Sequence, residues 1–167
     1  MMEVYTIGHS NRSLSDFISI LKSYGVKAVV DVRRFPTSRK FPYFKKEVLK
    51  EELRKNGLRY FWLGELLGGF RKGGYKGHIG TEEFKLGMRK LVEAISRETT
   101  AILCSELLWF KCHRRFIADE LANLGYNVIH IIDKRKAVVH RPKDRDRSLV
   151  RINGFPKSGP IAWPVED

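Results

Sequence analysis

Apolar residues recur along this chain in two alternating rhythms. Short β-branched runs read as strands, and between them apolar positions return every three or four residues, the spacing of helices. Residues 3–8 form the first predicted strand, which ends in Gly8-His9-Ser10-Asn11. Ser13 opens a capping box with Asp16, and Leu14, Phe17, Ile18 and Leu21 share one helical face up to Gly25. Residues 27–33 hold Ala28-Val29-Val30-Asp31-Val32, the pattern of a strand covered on both sides. Val48, Leu49, Glu52 and Leu53 predict a second helix closed by Asn56-Gly57, and residues 58–63 a third strand. The Gly-rich residues 64–80 read as one long loop. Thr81 caps a third helix with Phe84, Met88, Leu91, Val92 and Ile95 turned inward. Residues 99–105 are a fourth strand, Phe116, Ile117, Leu121 and Leu124 mark a fourth helix, and residues 126–132 a fifth strand.

Strand–helix alternation at this spacing predicts an α/β fold. The expected architecture is a single three-layer Rossmann/flavodoxin-like domain, with a mainly parallel sheet of about five strands and helices on both faces. Residues 1–133 make the expected α/β core. Residues 134–167 read as a basic C-terminal extension packed on or trailing that core, with one short strand at Val138 or Val150.

The 167 residues suit one domain, and 43% hydrophobic content argues against a disordered chain. No apolar run is long enough to span a bilayer, and no basic segment with a long apolar stretch opens the chain, so the expected address is the cytoplasm. The net charge is +13, from 32 Lys and Arg against 19 Asp and Glu. That surplus favours an anionic small molecule or a nucleic acid as partner and not a membrane, since no basic amphipathic helix of the membrane-lying kind is evident. Gln is absent and charged residues reach 31%, a balance like that of hyperthermophile proteins; the interior of such a cell permits Cys104 and Cys112 to pair where an ordinary cytosol keeps them reduced.

Ligands of doubly wound sheets sit beyond the carboxyl ends of the strands. There the first strand delivers Gly8, His9, Ser10 and Asn11, the second Asp31, Arg33 and Arg34, and the fourth Cys104, Ser105 and Glu106. The following helix opens with Cys112, His113 and Arg114. A helix N-terminus attracts anions and lowers the pKa of a nearby thiol, and an arginine adds planar recognition of phosphate or carboxylate. Each residue also has a purely structural reading. Cys104 suits a core thiol, His9 a turn, His113 a helix cap, Asp31 an ion pair with Arg33 or Arg114, and Glu106 a strand end. The spacing of Cys104 and Cys112 matches no zinc motif, so no metal and no cofactor is implied.

Residues 33–46 interleave Arg33, Arg34, Arg39, Lys40, Lys45 and Lys46 with Phe35, Phe41, Tyr43 and Phe44, as a phosphate backbone with stacked bases would want. The same aromatics also suit a plug in the core. The stretch from Gly68 to His78 reads as a mobile lid and lacks the ending of a P-loop.

Together these motifs resemble the family called domain of unknown function 488. The likeness rests on Thr6-Ile7-Gly8-His9-Ser10, Asp31-Val32-Arg33 with Pro36 and Ser38, Leu66-Leu67-Gly68-Gly69, Leu103-Cys104-Ser105-Glu106 and Cys112-His113-Arg114. Leu107-Leu108-Trp109-Phe110-Lys111 is more apolar than the family's usual linker, and His78-Ile79-Gly80 replaces its tyrosine-rich stretch. The resemblance implies a fold and a site, and no reaction.

Three functions are open at this point. In the first, an enzyme acts on a nucleotide or nucleic acid. Glu106 is its acid/base or glycosyl nucleophile, Arg33 and Arg114 hold phosphate, and His9 and Asp31 orient groups or relay protons. In the second, Cys112 is the nucleophile of phosphoryl or sulfur transfer. In the third, the domain binds nucleic acid or nucleotide without catalysis.

Overall fold

The computed structural model describes residues 2–142. Its elements begin with β1 (Glu3–Gly8) and α1 (Leu14–Ser23), where the Ser13 hydroxyl accepts the Asp16 N–H as its sequence suggests. Then come β2 (Ala28–Asp31), a 3-10 turn at Pro42–Phe44, α2 (Lys46–Lys55) and β3 (Arg59–Trp62). Two short helices follow, α3 (Gly64–Leu67) and α4 (Tyr75–Ile79), then α5 (Glu82–Arg97), capped by the Thr81 hydroxyl. The chain continues through β4 (Thr100–Cys104), a 3-10 turn at Trp109–Lys111, α6 (Arg114–Asn123), β5 (Asn127–Ile131) and β6 (Ala137–Val139).

The six strands lie in one sheet in the order β3-β2-β4-β1-β5-β6. The first five are parallel and β6 pairs antiparallel to β5. This is the α/β three-layer sheet that the sequence pattern implies, extended by one edge strand. Val4, Val30, Ile102 and Val128 face α5 and α6, packing on Met88, Leu91, Ile117 and Leu121. Ile7, Val29, Ala101 and Leu103 face α1 and α2, packing on Phe17, Leu21, Leu49 and Leu53. Alternate residues of each strand thus feed two apolar layers, which is why the central strands carry almost no polar side chains.

The segment 64–80, expected as one loop, instead contains α3 and α4. Leu67 is fully buried, and the Tyr75 hydroxyl donates to its carbonyl at 2.6 Å. Glycines here serve close packing. A Cβ on Gly68 would lie 2.5 Å from the Arg34 Cβ, and one on Gly87 2.7 Å from Leu67. The core also runs past the expected boundary at residue 133, because β6 belongs to the sheet. A buried chain of side chains fastens it. Thr6 Oγ1 lies 2.6 Å from His130 Nδ1, His130 Nε2 2.9 Å from His140 Nδ1, and His140 Nε2 2.6 Å from Asp119 Oδ1. Val150 lies outside the described residues.

The order of connections fixes where the sheet opens. From β2 the chain turns outward through α2 on one face, and from its neighbour β4 it turns the opposite way through α6 on the other. The last shared ladder bond runs from Val32 N–H to the Leu103 carbonyl. Beyond it the strands part and leave a crevice between their carboxyl ends, the usual place for a ligand in such sheets.

Candidate active site

A cavity of about 330 Å³ fills that crevice. Its walls are Arg33, Arg34 and Phe35 after β2, Cys104, Ser105 and Glu106 at the end of β4, Gly69 and Phe70 after α3, and Lys111, Cys112 and His113 before α6. Of the sequence candidates, Arg33, Arg34, Cys104, Ser105, Glu106, Cys112 and His113 meet here.

Cys112 is half-buried, and its sulfur is the focus of the cavity wall. The Cys104 sulfur lies 3.1 Å away, the His113 Nδ1 3.5 Å, and the Arg114 backbone N–H donates to Cys112 Sγ at 3.4 Å. Both cysteines are free thiols. Burial pushes the Cys104 thiol up, so Cys104 keeps its proton, with the Glu106 carbonyl at 3.5 Å and the Cys112 sulfur both within hydrogen-bonding reach. The Cys112 thiol is driven well below its ordinary range, first by the hydrogen bond with Cys104, then by His113 and the Arg114 N–H, against the opposing effect of burial. His113 is itself positioned by the parting strands. The Val32 carbonyl has no ladder partner beyond the split, and His113 Nε2–H donates to it at 3.0 Å. The ring fits because Gly69 has no Cβ, which would stand 3.2 Å from Nδ1.

Other candidates support the cavity from behind. Asp31 is fully buried and does not line it. Its carboxylate accepts from Arg33 Nε at 2.9 Å, Arg33 Nη2 at 2.7 Å and the Arg33 backbone N–H at 3.0 Å. The Tyr60 hydroxyl also donates to it, and burial beside this carboxylate raises the phenol's pKa so that it keeps its proton. Asp31 is thus committed to a sealed ion pair and has no route for relaying protons to a ligand. Arg33 donates its remaining nitrogen, Nη1, to the Phe44 carbonyl at 2.8 Å, so each guanidinium nitrogen makes a hydrogen bond and Asp31 neutralises its charge.

Arg114 is also buried outside the cavity. Its Nη2 donates to the Glu106 and Leu107 carbonyls at 3.1 and 2.9 Å, tying the loop after β4 to the start of α6. Its Nε and Nη1 have no partner among the described residues. His9 stacks on Phe44 at 4.3 Å and donates Nδ1–H to the Ser10 carbonyl at 2.9 Å. Burial lowers its pKa to about 4, so the ring is neutral at neutral pH. Gly8, Ser10 and Asn11 do not line the cavity either. Gly8 shapes it indirectly, since a Cβ there would stand 1.9 Å from the Glu106 carbonyl oxygen.

Glu106 is exposed at the cavity wall, and its carboxylate accepts the Leu108 N–H at 3.3 Å. Sequence reasoning missed Gly69, Phe70 and Lys111 as lining residues, and offered Phe35 only among aromatics suited either to stacked bases or to the core. Lys111, directly before Cys112, was within reach of a sequence argument. Phe70, isolated in a Gly-rich run, gave no periodic signal. A second cavity of about 370 Å³ lies beyond the Trp109–Lys111 turn, beside Trp109, Asp119 and His140. Both nitrogens of His140 are engaged there, so it offers no free base. Among the described residues no three His, Cys, Asp or Glu side chains cluster closely enough to hold a metal, and no helix is long and apolar enough to cross a membrane.

A family model described as Domain of unknown function DUF488 matches residues 13–121. The chain belongs to the DUF488 family. Every residue lining the 330 Å³ cavity falls within the matched span, whereas the Gly8-His9-Ser10 motif precedes it. No curated protein and no solved structure matches this DUF488 chain.

Proposed function

We propose that this DUF488 domain is a thiol-dependent group-transfer enzyme with Cys112 as nucleophile, acting on an anionic substrate held by Arg34 and Lys111. One observation carries the reading: a half-buried thiol at a cavity wall with three hydrogen-bonding groups around its sulfur. Such surroundings favour the thiolate, the reactive form of cysteine. Because Asp31 neutralises Arg33, the free positive charge facing the cavity comes from Arg34 and Lys111.

The thiolate attacks the phosphorus or sulfane sulfur of the substrate. The bond to the leaving group breaks, and its electron pair departs with that group. Glu106, exposed at the cavity wall, is placed to pass the proton the leaving group needs from solvent. An acceptor nucleophile then takes the group from Cys112, gives its proton to Glu106, and restores the thiolate. The sequence alone favoured Glu106 as the reacting group. Its exposed position and single backbone contact suit a proton carrier better than a nucleophile.

The test offers 4-nitrophenyl phosphate and thiosulfate as phosphoryl and sulfane-sulfur donors and reads intact mass after quenching. The expected result is a covalent adduct on Cys112 from one donor, abolished in Cys112→Ala and slowed but retained in Glu106→Gln. Turnover that survives Cys112→Ala, or that disappears only in Glu106→Gln, contradicts the assignment.

A further inference from the structure

We infer that Phe35 and Phe70 form an aromatic clamp at the mouth of this cavity, and that the ligand carries a nucleobase beside its phosphate. The inference rests on the proposed function only in placing the reacting group at Cys112. Both phenylalanines line the cavity, and they are 62% and 84% exposed, the two largest exposures among the large hydrophobic residues described. Their ring centroids are 5.9 Å apart with planes inclined at 40°. In a chain with so many charged residues, two neighbouring bare rings beside a charged cavity need an explanation that solvation alone does not give.

Backbone geometry adds to this. Phe70 has φ of +59°, the left-handed region that bulky residues seldom occupy, although glycines lie on either side of it in sequence at positions 69, 73 and 74. A glycine at 70 would relieve the strain, so the ring is kept for what it contacts. Its carbonyl accepts a bond from Arg34 Nη1 at 2.6 Å, and the Arg34 guanidinium lies 5.5 Å from the centre of the Phe35 ring. One arginine therefore fixes both rings while facing the anion site.

The chemistry that fits is a flat π-system joined to an anion. A base stacks on the rings, its phosphate meets Arg34 and Lys111, and the volume of about 330 Å³ is of the size that small-molecule ligands occupy. A free nucleotide and a nucleotide within a single strand share this chemistry.

The experiment uses the full chain and measures how fast iodoacetamide modifies Cys112, located by peptide mass spectrometry. The protecting ligands are ribose 5-phosphate, adenosine 5′-monophosphate and a short single-stranded oligoadenylate. A base-bearing ligand is expected to protect at a concentration roughly tenfold lower than ribose 5-phosphate, the size of effect that one stacked base gives. That advantage of the base-bearing ligand over ribose 5-phosphate, measured within each variant, should vanish in the Phe35→Ala/Phe70→Ala double variant and survive in Phe70→Tyr. An advantage held only by the oligonucleotide assigns a single strand, and one held by the mononucleotide assigns a free nucleotide. Both rings are exposed, so an unchanged unfolding midpoint is the control for the variants. Equal protection by all three ligands, protection by none, or an advantage that survives the double variant overturns the clamp. Slow alkylation of the unliganded protein at neutral pH counts against the proposed thiolate instead, and the ligand comparison can still be run at higher pH.

Discussion

Two identical side chains eight positions apart take opposite roles here. Cys104 ends β4 and is buried against the layer beneath α5 and α6, so it keeps its proton. Cys112 sits just before α6, where a backbone N–H and an imidazole face its sulfur. The sequence shows both cysteines and the helix start, but a spacing of eight says nothing about their approach to 3.1 Å. Asp31 is the opposite case. Its charge made it look reactive, yet Arg33, two residues on, and Tyr60, on the neighbouring strand, take up its carboxylate. The ion pair was readable from the sequence, whereas the contribution of Tyr60 depends on strand order. Asp31→Asn leaves the Arg33 charge buried against a neutral group. Urea unfolding should show a loss of about 3–5 kcal/mol, as for other broken buried pairs. A loss below about 1 kcal/mol would mean that water reaches this pair, because exposed pairs are worth no more than that.

At the scale of elements, the long periodic segments were legible and the short ones were not. The helices α1, α2, α5 and α6 each carry an apolar stripe and an end signal, and the five parallel strands are β-branched or aromatic runs. The helices α3 and α4, of four and five residues, are too short to show a period and are specified by contacts such as that of Tyr75 with the Leu67 carbonyl. The strand β6 has only three residues, and its attachment depends on His130, His140 and Asp119 meeting in space. The loop from β4 to α6 belongs to this scale as well. It is pressed against Gly8 and stapled by Arg114. Gly8→Ala puts a methyl group where the Glu106 carbonyl stands. The expected effects are a loss of about 1–3 kcal/mol, as for other overpacked sites, and a slower Cys112 alkylation at neutral pH. An alanine variant with unchanged stability and reactivity would show that the loop does not depend on that contact.

For the molecule as a whole, the reversal of connection direction at β2 and β4 decides where a ligand can enter. Parallel strands and helices on both faces follow from the sequence pattern, but the lateral order of strands does not, and the crevice follows from that order. Seven of the thirteen sequence candidates line the cavity, and others, among them Asp31 and Arg114, hold lining residues in place from outside it. Buried neutral imidazoles give the whole fold a pH signature. Burial lowers His130 to about 2 and His9 to about 4, whereas unfolded histidines titrate near about 6.5. The unfolded chain therefore binds more protons below that value. The stability held by the neutral rings is complete above about pH 6.5 and falls as pH drops towards 4 for His9 and towards 2 for His130. Each proton contributes a slope of about 1.4 kcal/mol per pH unit, so chemical denaturation at pH 7, 6 and 5 should show stability declining. Flat stability across that window would mean that these rings already titrate freely in the fold.

The central claim is that the fold holds Cys112 as a reactive thiolate in an open cavity. Its most direct measure is the rate of iodoacetamide modification of Cys112 in the native chain as a function of pH. The account predicts a rate that has already reached its plateau at neutral pH, with a midpoint well below the ordinary thiol value of about 8.5. A midpoint at or above about 8.5, or a sulfur that reacts only after unfolding, would contradict it.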